Sequence, residues 1–140
     1  RRPVISLDRP VADAPEWARR EFVVPEDGVV DLAEALIGAA PLEPFARYAD
    51  ESDRCRDVLV CTHGDLDACC SKFGIPIYEK LRHEVIRGDD AVRVWQATHI
   101  SDHRFAPMLV EFPTNLHWAH LDGSVLEAIV RRGGPPAAVR

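Results

Sequence analysis

The sequence predicts a mixed α/β domain, a central mixed sheet with flanking helices. Three observations predict it. Residues 57 to 60 form a β-branched apolar run bounded by charge, long enough only for a buried strand. Phe73, Ile77, Leu81 and Val85 recur every four residues, the stripe of a helix that faces a sheet. Two more apolar runs, 91–96 and 107–112, follow and lead to a turn and a closing helix. The bulk agrees with one domain spanning 1–140: the chain is 46% hydrophobic and 29% charged. A chain of this length buries roughly 68% of its unfolded surface, so the core needs no disulfide or metal staple. Any metal it carries is therefore expected to be functional.

Taken in order, Val4-Ile5-Ser6-Leu7 and Glu21-Phe22-Val23-Val24 read as short strands. Asp31 followed by Leu32, Ala35, Leu36 and Ile37, with Gly38 behind them, has the cap, apolar face and stop of a short helix. A second short helix follows Pro44. The strand from Asp57 to Val60 delivers Cys61 at its carboxyl end. After the loop Thr62-His63-Gly64-Asp65-Leu66, Asp67 is placed to cap the striped helix. Pro76 lies inside that pattern and kinks it or starts a new segment, because it has no amide to donate. Ala91 to Gln96 is a strand, Thr98 to Arg104 a loop, and Pro107 to Phe112 a strand. Pro113-Thr114-Asn115 has turn chemistry, His117 to Leu121 returns as a strand, and Val125 to Arg132 is a helix with a cationic end. Residues 133–140 are a loose tail. Strand, helix, strand, hairpin and helix is the order of the C-terminal part of thioredoxin-like folds. The opening strand and helix are expected to supply the rest of the sheet.

Seventeen basic against twenty-three acidic residues leave a formal charge of -6. That argues against nucleic acid and against an anionic membrane surface, both of which are bound through Lys and Arg. The longest apolar runs are a few residues, whereas a membrane helix needs about 20. The sequence opens with Arg1-Arg2-Pro3 and shows no signal pattern, so it reads as a trimmed product of a cytoplasmic protein. Four cysteines, at 55, 61, 69 and 70, are accordingly expected to be reduced thiols, packing residues or metal ligands rather than disulfides.

Spacing sorts them. Cys61 and Cys70 are separated by eight residues, and His99 and His103 by three, which gives two ligand pairs, each in a loop beside a strand end. Cys70 falls in the first turn of the helix, where free amides and the helix dipole favour the thiolate that metals require. A single cysteine is usually a small core residue, the expectation for Cys55 and Cys69. Cys69 also points about 100° away from Cys70 around a helix. His83, His117 and His120 read as surface or strand polar positions. Without the cysteines, His99 and His103 would read as two solvated loop histidines.

The chain resembles the sucrase/ferredoxin-like family, thioredoxin-like two-iron ferredoxins with mixed histidine and cysteine ligation. The resemblance is carried by residues 57–64, Asp57-Val58-Leu59-Val60-Cys61-Thr62-His63-Gly64, then Cys69-Cys70, Phe73-Gly74, Tyr78 and Leu81-Arg82. It continues with His99 and His103-Arg104-Phe105-Ala106, and covers residues 57–121. It implies a [2Fe-2S] cluster held by Cys61 and Cys70 on one side and by His99 and His103 on the other, shuttling one electron. His63 reads as a donor beside the cluster or simply as a loop residue, and Asp102 and Arg104 are expected in the surrounding shell. The family usually has two glycines between the histidines, where this chain has Ser101-Asp102. Asp tolerates the left-handed region better than most residues, and an ionised Asp102 would favour the oxidised cluster. Neutral imidazoles in place of thiolates imply a potential nearer the about -150 to +300 mV of Rieske centres than the about -400 mV of plant-type ferredoxins. That potential is expected to fall with rising pH as histidine ligands lose protons.

Rival chemistries are weaker. A dithiol oxidoreductase needs a Cys-x-x-Cys pair, and there is none. Ala106-Pro107-Met108-Leu109-Val110 nevertheless looks like the strand beside a thioredoxin active site, which begins at a cis-proline. Cys61-Thr62-His63 is half of a Rieske signature whose second half is missing. Sucrase or other hydrolase activity would need two paired carboxylates, which scattered acids do not identify. The carrier reading therefore has no catalytic residues. Zinc is the serious alternative, because two cysteines and two histidines also complete a tetrahedral structural site for an interaction module. A cluster-based redox or iron sensor would use the same residues. The expected partner is a redox protein, a reductase or an electron acceptor, presenting a basic face to this acidic chain.

Overall fold

The computed structural model describes residues 2–8, 16–50, 55–65, 68–100 and 103–132. The chain divides into two compact units, residues 1–54 and 55–140. In the first, β1 (Arg2–Asp8) pairs antiparallel with β2 (Ala18–Val24), and β2 with the two-residue β3 (Ala49–Asp50). Both predicted strands are present and β3 is added. The helix α1 (Val29–Leu36) starts earlier than expected. Gly28 precedes it without any side-chain cap, and Asp31 sits inside the first turn, where its charge complements the dipole. Gly38 ends it at a φ of +80°, a conformation that L side chains rarely adopt. The segment after Pro44 forms a 3₁₀ turn, Glu43–Tyr48. Phe22, Val24 and Leu32 make the core here, with Val4, Leu36 and Phe45 packed on it.

The second unit runs β4 (Arg56–Cys61), α2 (Ala68–Lys80), β5 (Val92–Ala97), β6 (Leu109–Phe112), β7 (Leu116–Trp118) and α3 (Leu126–Arg131). Its four strands lie in the order β5-β4-β6-β7. Only β4 and β5 run parallel, as a crossover through a helix requires, while β6 and β7 form the expected hairpin. One expectation is corrected: the opening strand does not complete this sheet. Instead β1, β2 and β3 close a separate three-stranded sheet, because β2 has its neighbours within its own unit.

Val58 and Val60 of β4 pack against Ile77, Tyr78 and Leu81, and against Leu126, Ile129 and Val130 of α3. The predicted helical stripe is corrected at its start, where Phe73 is 46% exposed. A strict four-residue repeat drifts about 40° per step around a helix of 3.6 residues per turn. The buried face is therefore Cys70, Gly74, Ile77 and Tyr78, leading to Leu81. Despite Pro76, α2 continues to Lys80 and passes into a π-helical turn, Leu81–Val85. Asp67, expected to cap α2, lies outside the described residues, as do Leu66, Ser101, Asp102 and the tail 133–140.

Two acids anchor the end of the sheet opposite Cys61. Asp57 accepts from Trp95 Nε1 at 2.7 Å and from Arg93 Nε and Nη2 at 3.1 and 3.3 Å. Glu111 accepts from Arg56 Nη1 at 3.2 Å, Arg132 Nη2 at 3.3 Å and Thr114 Oγ1 at 3.1 Å. Pairing lowers the cost of burying these charges. The turn at Asn115 has a φ of 54°, and the Ala106–Pro107 and Phe112–Pro113 bonds are cis. No helix among the described residues is long and apolar enough to cross a membrane.

Candidate metal centre

Cys61 is the last residue of β4, and the chain is held there from both sides. Its amide donates to Met108 O at 3.1 Å, and the Thr62 amide donates to Ala97 O at 3.2 Å. The middle of α2, at Gly74, is pressed against the same point. A Cβ on Gly74 would lie 3.1 Å from the Cys61 carbonyl carbon and would overlap its oxygen. Only glycine allows so close a backbone approach. That approach carries Cys70, the third residue of α2, toward Cys61.

Cys61 is 3% exposed and Cys70 2%. Both sulfurs sit in an apolar cluster with Met108, against which Ile100 and Ala119 pack. His99, in the loop after β5, brings its Nδ1 to 3.6 Å from Cys70 Sγ. The ligand atoms of Cys61, Cys70 and His99 all lie within 4.8 Å of one another. Thus three of the four predicted ligands come together. His103 is described but does not join them. It opens the exposed 3₁₀ turn His103–Phe105, which Arg104 shares. Of the three residues that link His99 to it, Ser101 and Asp102 lie outside the described residues.

His63 is half-buried. Its Nε2 lies 3.6 Å from Asp65 Oδ2, and its buried Nδ1 has no hydrogen-bond partner among the described residues. Among the remaining thiols, Cys55 donates to Asp90 O at 3.1 Å, and Cys69 is outside the ligand group. None of the four cysteines forms a disulfide among the described residues. His83 pairs with Glu79 at 2.9 Å, His117 with Asn115 at 3.2 Å, and His120 meets the Phe105 ring edge-on at 5.8 Å.

Two buried thiols and an imidazole are a donor set for a soft or borderline metal. Apolar side chains surround the thiols, and the buried His63 Nδ1, two residues from Cys61 and without a partner among the described residues, leaves a polar contact open. The residues present fit a metal or iron-sulfur group. Gly74 and Met108 also shape the site. Spacing alone does not reveal either, because their effect is a distance between elements far apart in sequence.

Comparison with known proteins agrees with the fold. The sucrase/ferredoxin-like family model matches residues 9–139. A thioredoxin-like [2Fe-2S] ferredoxin from Aquifex aeolicus superposes with a TM-score of 0.51 at 11% identity, covering 61% of this chain and 89% of that one. The wild-type thioredoxin-like [2Fe-2S] ferredoxin from the same organism gives 0.51 at 14% identity, covering 61% and 95%. No curated protein matches. The structural likeness is one of fold, and the mixed sheet with flanking helices is thioredoxin-like, as the element order predicted. With the family model spanning nearly its whole length, the chain belongs to the sucrase/ferredoxin-like family.

Proposed function

We propose that this protein is a one-electron carrier whose [2Fe-2S] cluster is held by Cys61 and Cys70 on one iron and by His99 and His103 on the other. The convergence of Cys61, Cys70 and His99 within 4.8 Å supports this reading most directly. The printed names of the fold neighbours, which describe [2Fe-2S] ferredoxins, add to it. The cluster supplies a site that accepts and releases one electron. The chain's own part is to hold the two thiolates in an apolar, water-poor pocket and to present the histidine side to the surface. The exposure of His103 and Arg104 suits that role, since electrons then leave over a short distance to a docked partner.

The orphaned His63 Nδ1 is assigned as a donor to the cluster's surroundings, and Asp102 and Arg104 as charges beside the histidine loop. The partner is a reductase or acceptor protein with a basic face, matching the net charge of -6. Four cysteines without a disulfide suit a reducing compartment such as the cytoplasm. The buried carboxylates Asp57 and Glu111 are engaged by arginines.

A second reading deserves its place because three donors converge as one group rather than as two separate pairs. Three converged Cys and His ligands also suit a single zinc ion in a structural site. Substitution of the histidines separates the readings. For the cluster, His99→Cys and His103→Cys should each keep the colour and shift the potential negative, toward the about -400 mV of all-cysteine plant-type centres. Colourless, redox-silent variants and parent that carry one zinc per chain would establish zinc instead.

A further inference from the structure

We propose that Cys61 and Cys70, when no cluster engages them, form a reversible intramolecular disulfide that closes the site. The inference rests on the proposed function only in taking these two residues as ligands. Their sulfurs lie within 4.8 Å of each other, and a disulfide bond needs about 2.0 Å, so roughly 3 Å of closure suffices. The two residues sit at a strand end and in the adjoining first turn of α2, and the Gly74 contact keeps those elements together.

No other pair competes on equal terms. Cys69 neighbours Cys70 but leaves the helix about 100° around from it and lies outside the ligand group. Cys55 stands at the other end of β4, roughly 20 Å from Cys61 by strand rise, with its thiol bonded to Asp90 O.

The burial of both sulfurs restricts the oxidant to a small one, and hydrogen peroxide meets that limit. The Cys70 sulfur attacks one peroxide oxygen and the O–O bond breaks. The hydroxide that leaves takes the thiol proton as water, and Cys70 becomes a sulfenic acid. The Cys61 sulfur then attacks the Cys70 sulfur, the S–S bond forms, the S–O bond breaks, and the hydroxyl leaves with the Cys61 proton as a second water. Two thiols are oxidised and one peroxide is reduced to two waters. A disulfide has no thiolate to offer, so the oxidised chain refuses iron until it is reduced.

The test uses the full chain, freed of metal under reductant, desalted and treated with one equivalent of hydrogen peroxide. Free thiols, non-reducing peptide maps and circular dichroism are followed before and after. The expected result is a fall from four free thiols to two, with Cys61 linked to Cys70 in the map and an unchanged fold. Iron and sulfide uptake should be lost and should return with dithiothreitol, and Cys69→Ser should behave as the parent does. Unchanged thiols, a link to Cys55 or Cys69, or a link between chains would overturn the proposal. If the chain loads iron but forms no Cys61–Cys70 link, the disulfide fails and the ligand reading stands. If the link forms but the reduced chain never loads iron, the ligand reading fails and the disulfide stands.

Discussion

A single missing side chain sets the geometry of the centre. Gly74 lets α2 touch the carbonyl of Cys61, and any Cβ there must push the helix off the strand end. Gly74→Ala is therefore expected to cost about 1–3 kcal/mol, the usual penalty for overpacking a filled interior. It should also lower iron occupancy, since Cys70 moves with the helix. Denaturant melts and iron content on the same preparation check both effects, and a fully loaded variant of unchanged stability would contradict the contact. At the far end of β4, Asp57 is 1% exposed and satisfies both Arg93 and the Trp95 indole. Asp57→Ala leaves those donors without their acceptor and should cost about 1–3 kcal/mol. Because Asp57 is four residues from Cys61 along the strand, this loss should leave the colour of folded protein unchanged.

At the scale of elements, what the sequence made legible follows from how local each signal is. β4 was legible because a β-branched run is its own evidence, and it ends at Cys61 as expected. β3 was not, because two residues carry no period. The face of α2 was half legible: Ile77 and Leu81 are buried as predicted, whereas Phe73 is not, since four-residue spacing and a 3.6-residue turn diverge. Spacing paired Cys61 with Cys70, and the structure joins His99 to them. It could not fix the path from His99 to His103, because a loop's course depends on backbone angles that residue type only biases.

The entry to α3 shows the same locality. Asp122 accepts from the Ser124 amide at 2.6 Å and from the Ser124 hydroxyl, and these bonds, with Lys80 adding a smaller attraction, hold its carboxyl below the ordinary value of 3.8. A lowered folded value means the carboxylate stabilises the fold above that ordinary value. The contribution is lost as the pH falls through the lowered one. Asp122→Ala should thus melt slightly below the parent at neutral pH, with the gap closing under acid conditions. Thermal melts of both proteins at neutral and strongly acid pH would show it, and a gap that widens in acid would refute the turn's role.

At the scale of the molecule, which strands share a sheet was the least legible feature. Composition and period identify strands, but pairing is a choice among partners far away in sequence. Residues 2–8 and 18–24 satisfy each other as a hairpin, so the four-stranded sheet of the second unit forms without them. That unit alone carries the strand, helix and loop that bring Cys61, Cys70 and His99 together. If these residues serve a two-iron cluster, the metal content of the chain reports it. Iron, acid-labile sulfide and zinc should be measured per chain on protein purified without oxygen, with visible spectra before and after dithionite. Two irons and two sulfides per chain and a colour that bleaches on reduction are expected. One zinc per chain, no sulfide and no colour would contradict the two-iron cluster.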